Sequence, residues 1–267
     1  MIVRVKMKAY INGAEIAYDL YGDRGSRVVL LHGWGASRKL MQPAAEALQA
    51  EHRVMTLDFP GHGDSSRPPE PWGIPEFSEC LIALLKEKDF LPCSVIAHSF
   101  GCRVAAWIAA EHPGIFEKMV LTGAAGIRPP QSEEAKARTA RYQKARNAAE
   151  KLRRIPGMNA LADKAEEKLR KKYGSADYNA LDEEMRKTFV KVVSLDLRDR
   201  YPDIHAPVLL IFGDRDTETP VWMGREMEKL IPDAGLVILE NGSHFAYLEQ
   251  AARFHTICLQ FLSEVET

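Results

Sequence analysis

Between the apolar run Cys93-Ser94-Val95-Ile96 and the stretch Arg103-Val104-Ala105-Ala106-Trp107-Ile108-Ala109-Ala110, the chain has only the residues Ala97 to Cys102 in which to turn. The first run predicts a buried strand and the second a buried helix. A strand-to-helix corner this tight leaves little room two positions before and two after its apex. Ala97 and Gly101 occupy those positions around Ser99. Such a corner presents the serine hydroxyl as a nucleophile. A five-residue pattern of this kind recurs by chance, so its weight depends on what the rest of the chain supplies.

Strand-like and helix-like segments alternate on both sides of that corner. Tyr10 to Asp19 and Arg27 to Leu31 read as strands, and the alternation in Met1 to Met7 suits a first strand. The loop His32-Gly33-Trp34-Gly35-Ala36-Ser37 precedes a helix expected from about Met41 to Ala50. Arg53 to Asp58 is a further strand, followed by Phe59-Pro60-Gly61-His62-Gly63-Asp64-Ser65-Ser66. Phe77, Leu81, Leu84 and Leu85 give Glu76 to Lys88 a helical period, and Glu117 to Thr122 is again strand-like. The pattern resumes with a strand at Pro207 to Phe212, a helix from about Trp222 to Leu230, a strand from Leu236 to Leu239 and a helix from about Tyr247 to Val265. Such alternation predicts a mostly parallel sheet with helices on both faces.

Residues 127–200 break the alternation. They are helical in pattern, and 19 basic against 12 acidic residues give a net charge of +7 in a chain whose total is −1. Pro156-Gly157 and Tyr173-Gly174-Ser175 divide the segment into about three helices. We read 1–126 and 201–267 as the core and 127–200 as an inserted helical lid, with Leu152, Ile155, Met158, Leu161 and Leu169 as its apolar underside. A lid of this charge raises the hypothesis of a preference for anionic substrates.

At 267 residues and 46% hydrophobic content the chain can bury one large core. The balanced total charge argues against nucleic acid, and no apolar run is long enough to span a membrane. Met1 to Met7 lacks the continuous apolar block of a signal peptide. Cys80, Cys93, Cys102 and Cys258 are scattered through apolar segments, which points to buried thiols and a cytoplasmic location. No histidine pair has zinc-site spacing, and neither a metal nor a cofactor is expected. A homodimer is left open.

Serine needs a base within hydrogen-bond reach and a third group to orient that base. In parallel sheets such groups collect where strands end. Downstream of Ser99, His244 follows the strand ending at Leu239, and Asp214 and Asp216 both follow the strand ending at Phe212. The order serine, acid, histidine is that of one hydrolase architecture.

The chain resembles the α/β-hydrolase family over nearly its whole length. The resemblance is carried by His32-Gly33-Trp34-Gly35, Asp58-Phe59-Pro60-Gly61-His62-Gly63-Asp64-Ser65, the Ser99 corner, Gly213-Asp214-Arg215-Asp216 and Gly242-Ser243-His244. It implies Asp216 as the acid, the last residue of Gly-x-x-Asp, with Ser99 as nucleophile and His244 as base. It implies an oxyanion hole from the peptide N–H groups of Trp34 and Phe100, each donor worth about 3 kcal/mol of barrier. His32 and His62 would brace the site, while His98 packs or bonds locally. His52, His112, His205 and His255 are expected to be structural or exposed.

Among family members, Ser99 argues against dehalogenases and epoxide hydrolases, which carry aspartate at the corner. Carboxylesterases resemble this chain in having His before the serine and Trp in the oxyanion loop. Carbon–carbon hydrolases of ring-fission products have Asn before the serine and Trp after the histidine, where this chain has His98 and Phe245. The expected reaction is therefore hydrolysis of a small-molecule carboxylic ester. Ring-fission hydrolysis and a non-turnover small-molecule receptor of the same fold stand as alternatives. Ala97 and Cys102 depart from the usual glycines, and Cys102 would sit at the helix start, where the dipole lowers a thiol pKa.

Overall fold

Asn12 and Gly13 take positive φ, 49° and 84°, and fold the amino-terminal segment into a hairpin of β1 (Arg4–Ile11) and β2 (Ala14–Tyr21). The turn therefore falls inside the stretch from Tyr10 to Asp19 that alternation alone assigns to one strand. Asn-Gly is the pair that a two-residue hairpin turn favours, and it divides that stretch. The computed structural model describes residues 4–130, 132–173 and 176–263. Residues 1–3 of the expected first strand, residues 174–175 of the expected helix break and residues 264–265 of the expected last helix lie outside them.

The hairpin joins a sheet of eight strands in the order β1-β2-β4-β3-β5-β6-β7-β8. β2 pairs antiparallel with β4 (Arg53–Leu57). β3 (Arg27–Leu31), β4, β5 (Cys93–His98), β6 (Phe116–Thr122), β7 (Val208–Gly213) and β8 (Ala234–Leu239) run parallel to one another. The chain moves outward from β3 to β4, then crosses back to β5 and continues the other way. The carboxyl ends of β3 and β5 thus meet at the point where strand order reverses, the usual place for a ligand site in such sheets.

Alternate residues of the strands face two buried layers. Val29, Leu31, Val95, Ala97, Leu121 and Phe212 pack with residues of α2 (Ile74–Glu87), α3 (Phe100–Glu111) and α8 (Val221–Leu230). Val28, Leu30, Ile96, Val120 and Ile211 pack with α1 (Gln42–Leu48) and α10 (Ala251–Leu262). Each fully buried aliphatic side chain of this size contributes about 1.5–3 kcal/mol. Helix α2 begins at Ile74, two residues earlier than its apolar period suggests, because the Glu76 carboxylate accepts the Gly73 peptide N–H (2.7 Å). The expected last helix is broken into α9 (Ala246–Glu249) and α10, with Gln250 outside helical geometry.

The described chain divides into two units. One comprises residues up to Ile127 and from Lys191 onward; the other is Arg128–Val190. Residues 191–200 belong to the first unit because Val192 and Leu197 are buried in its larger cluster and the Leu197 N–H bonds the Gly126 carbonyl (2.9 Å). The second unit is built from α4 (Glu133–Arg153), α5 (Asn159–Tyr173), α6 (Ala176–Ala180) and the first turns of α7 (Glu183–Ser194). α4 and α5 run antiparallel: Arg153 pairs with Asp163 (2.5 Å) and Glu166 (3.0 Å), while Tyr142 meets Tyr173 at 5.6 Å. Ile155 and Leu161 are half exposed, whereas Leu152, Met158 and Leu169 are partly buried. Among the described residues no helix is long and apolar enough to cross a membrane, and no three His, Cys, Asp or Glu side chains gather as a metal site would require.

Candidate active site

Ser99 follows the last residue of β5 and precedes the first residue of α3, with φ 48° and ψ −106°. A non-glycine residue with positive φ is strained, and here the neighbouring strands hold it. Its N–H bonds the Thr122 carbonyl (3.1 Å) at the end of β6, and its carbonyl accepts the Ala125 N–H (3.4 Å). Gly101 has no space for a side chain: a Cβ would lie 2.8 Å from both the Leu31 Cβ and the Leu31 carbonyl oxygen. Ala97 is fully buried, keeps negative φ and packs in the larger cluster, so its methyl group fits without backbone strain.

The loop after β3 lies against the serine. A Cβ on Gly33 would come within 3.2 Å of the Ser99 Cβ, which puts the following peptide, that of Trp34, beside the corner. Phe100 is the first residue of α3, where a peptide N–H has no acceptor in its own helix. The Trp34 and Phe100 rings meet edge to face at 5.3 Å, and Trp34 meets the His62 ring at 4.8 Å.

Asp216 and His244, from the loops after β7 and β8, are in direct contact: His244 Nδ1 lies 2.8 Å from Asp216 Oδ2. The carboxylate is otherwise saturated. Oδ1 accepts the N–H groups of Glu218 and Thr219, both at 2.9 Å, and Oδ2 accepts the Thr219 hydroxyl at 2.8 Å. Burial pushes this carboxyl up, but the bonds from His244 and Thr219 outweigh it and hold Asp216 below the usual carboxylate range. Asp214, the other candidate acid, is exposed. On the second ring nitrogen, Glu218 Oε2 stands 3.5 Å from His244 Nε2. Gly123, directly after β6, lies against the same ring; a Cβ there would be 3.2 Å from Nδ1. Since Thr122 binds the Ser99 N–H and Gly123 touches His244, the end of β6 joins the serine corner to the histidine.

Three further histidines surround these groups, and burial is the main reason that each resists protonation. His98 Nε2 donates to the His244 carbonyl (2.9 Å), and its pKa is pushed down to about 3. Its partner is 146 residues away, in place of the local contact expected from sequence. His32 Nδ1 donates to the Gly33 carbonyl (2.7 Å) and Nε2 accepts the Phe59 N–H (3.0 Å), with a pKa also near 3. His62 is lowered as well. The loops after β3 and β4 are locked together by Arg38, whose guanidinium reaches Asp19 (3.0 Å), Asp58 and Asp64 (2.9 Å).

Cys102 departs from expectation. Burial pushes its thiol up, overriding the helix start, and the thiol donates to the Ala97 carbonyl (3.1 Å). All four cysteines are buried and free. His52 bonds Ser26 (2.8 Å), His112 approaches Glu79 (3.3 Å), His205 is exposed and His255 is half-buried. Gly123, Thr219, Glu218 and the long-range bond of His98 join the site only in three dimensions; none carries a local sequence signal of its own.

Residues 26–251 match the sequence family described as the alpha/beta hydrolase fold. A pimeloyl-acyl-carrier-protein methyl ester esterase from Neisseria meningitidis serogroup C is 28% identical over 258 residues, covering 91% of this chain and 96% of that protein. The crystal structure of an enol-lactonase from Burkholderia xenovorans LB400 has 26% identity and a TM-score of 0.74, covering 97% of this chain and 100% of the other. A meta-cleavage product hydrolase from Pseudomonas fluorescens IP01 shares the fold at 20% identity, with a TM-score of 0.71 over 96% of both chains. With its parallel sheet, serine corner and a match spanning most of its length, the chain belongs to the α/β-hydrolase fold family.

Proposed function

We propose that this protein is a serine hydrolase that cleaves carboxylic esters of small to medium size through an acyl-enzyme on Ser99. The observation that carries the reading is the 2.8 Å bond between His244 Nδ1 and a fully hydrogen-bonded Asp216, on strand ends beside the serine corner. The esterase and lactonase among its relatives support ester hydrolysis as the reaction class.

In this mechanism His244 Nε2 takes the Ser99 proton as Oγ attacks the ester carbonyl, and Asp216 steadies the imidazolium that forms. The Trp34 and Phe100 N–H groups receive the charge developing on the carbonyl oxygen. His244 then gives its proton to the departing alkoxide. A water activated by the same nitrogen releases the acid and restores Ser99. Residues 128–190 act as the lid in this reading, on the ground that they are inserted between β6 and β7.

The test is a series of p-nitrophenyl esters of graded acyl length, with a ring-fission product included, assayed beside Ser99→Ala. Ester turnover that disappears in Ser99→Ala is expected. Full ester turnover in that variant would sink the mechanism, and strong ring-fission activity without ester turnover would change the substrate class.

A further inference from the structure

His244 sits between two carboxylates. Asp216 holds Nδ1, and Glu218 faces Nε2 at 3.5 Å from the solvent side, with its own side chain 63% exposed. We propose that Glu218 makes this site select against esters that carry a negative charge beside the scissile bond, in favour of neutral or cationic ones. The proposal rests on the reading that Ser99 and His244 carry out the chemistry.

Nε2 is the atom that must exchange protons with Ser99 and with the leaving group, so the ester must come within a few ångströms of it. A fixed charge 3.5 Å from that atom is therefore felt by the substrate. The backbone beneath Glu218 is pinned, because its N–H donates to Asp216 Oδ1 (2.9 Å) and the next residue binds the same carboxylate twice. Among the described residues no lysine or arginine pairs with Glu218, so no neighbouring cation cancels its charge. The other ionisable groups against the ring are Asp216, which already balances Nδ1, and His98, which burial keeps neutral. Substrate anions thus meet a net negative surface at the bond to be broken.

An anionic ester group within a Debye length of Glu218 is disfavoured, while salt near 1 M shrinks that length to about 3 Å. The basic insertion predicts the opposite preference, so the sign of the selectivity separates the two ideas.

The experiment measures kcat/KM for p-nitrophenyl hemiglutarate and its neutral methyl ester, at low salt and in 1 M NaCl, with wild type, Glu218→Gln, Glu218→Lys and Ser99→Ala. At low salt Glu218→Gln is expected to raise the anionic-to-neutral ratio about threefold or more, Glu218→Lys further, and 1 M NaCl should erase most of the difference. Ratios within twofold of wild type in both Glu218 variants, with turnover that depends on Ser99, overturn the proposal alone. Turnover that survives Ser99→Ala overturns the catalytic reading and this proposal together.

Discussion

His98 Nε2 donates a hydrogen bond to the main-chain carbonyl of His244 across 2.9 Å, and the two rings stand 4.7 Å apart. The residue before the candidate nucleophile thus fixes the backbone of the candidate base. His98→Phe keeps most of the volume and removes the donor, leaving a buried carbonyl unpaired at about 1–3 kcal/mol. We expect urea midpoints to fall accordingly and ester kcat to drop about tenfold with KM little changed, since the loss displaces His244 and leaves the binding surface intact. His98→Gln, which can donate again, should recover part of both.

Stability should fall as the pH drops below neutral. His32 and His98 titrate near 3 in the folded chain because burial disfavours their charged form, and His62 is lowered for the same reason. Unfolded histidines take up protons near 6.5, so from that pH down to the folded value the unfolded state binds more protons. The stability from these neutral rings is complete above pH 6.5 and lost steadily below it, by up to about 1.4 kcal/mol per pH unit for each ring. Asp216, whose carboxyl is lowered, acts in the same direction further down, below the usual carboxylate pKa. Urea denaturation at intervals from pH 7.5 to 4.5 measures the slope, and His98→Phe should flatten it by about one proton. A stability that rose on acidification would contradict neutral buried imidazoles.

The parts of this candidate site that follow directly on strands are legible in the sequence. Trp34, Ser99, Asp216 and His244 each come within a few residues of an apolar run, and a parallel sheet brings such positions together whatever the loops do. Gly123, Thr219 and Glu218 are not legible because their importance lies in contacts with residues more distant in sequence or in backbone bonds to Asp216. The break at Gln250 is hidden for a different reason. Tyr247 and Phe254 are seven residues apart and bury into the same layer, so the apolar period runs on across an interrupted helix. The Asn12-Gly13 turn, by contrast, is a local signal that the alternation of Tyr10 to Asp19 obscures.

Gly123 has φ 51° and lies against the His244 ring, with an added methyl falling 3.2 Å from Nδ1 and 3.3 Å from Cε1. Gly123→Ala should therefore lose about 1–2 kcal/mol to the left-handed backbone and also push the imidazole out of line with Asp216. Gly114 is the control, since it has φ 87° and open space where a methyl group would sit. Both alanine variants should unfold earlier, but only Gly123→Ala should reduce ester kcat, by about tenfold or more, as a small misplacement of a base does. Equal rates in the two variants would remove Gly123 from the site.

Asp216 accepts bonds from the Glu218 and Thr219 N–H groups and the Thr219 hydroxyl, and holds His244 Nδ1 with the same oxygen that takes the hydroxyl. Asparagine in its place keeps the shape but can turn an NH2 group toward a ring nitrogen that must itself donate. The ring then favours the tautomer with its proton on Nε2, the atom that has to receive one from Ser99. We expect Asp216→Asn to lower kcat about 10³–10⁴-fold, less than Ser99→Ala does. Asp214 is exposed, and its N–H bonds the Leu239 carbonyl (3.2 Å) through the backbone alone, so Asp214→Asn should stay within about twofold of wild type. Steady-state kinetics on one p-nitrophenyl ester across the three variants decides the matter: an Asp216→Asn enzyme of full activity, beside a crippled Asp214→Asn, would move the acid to Asp214.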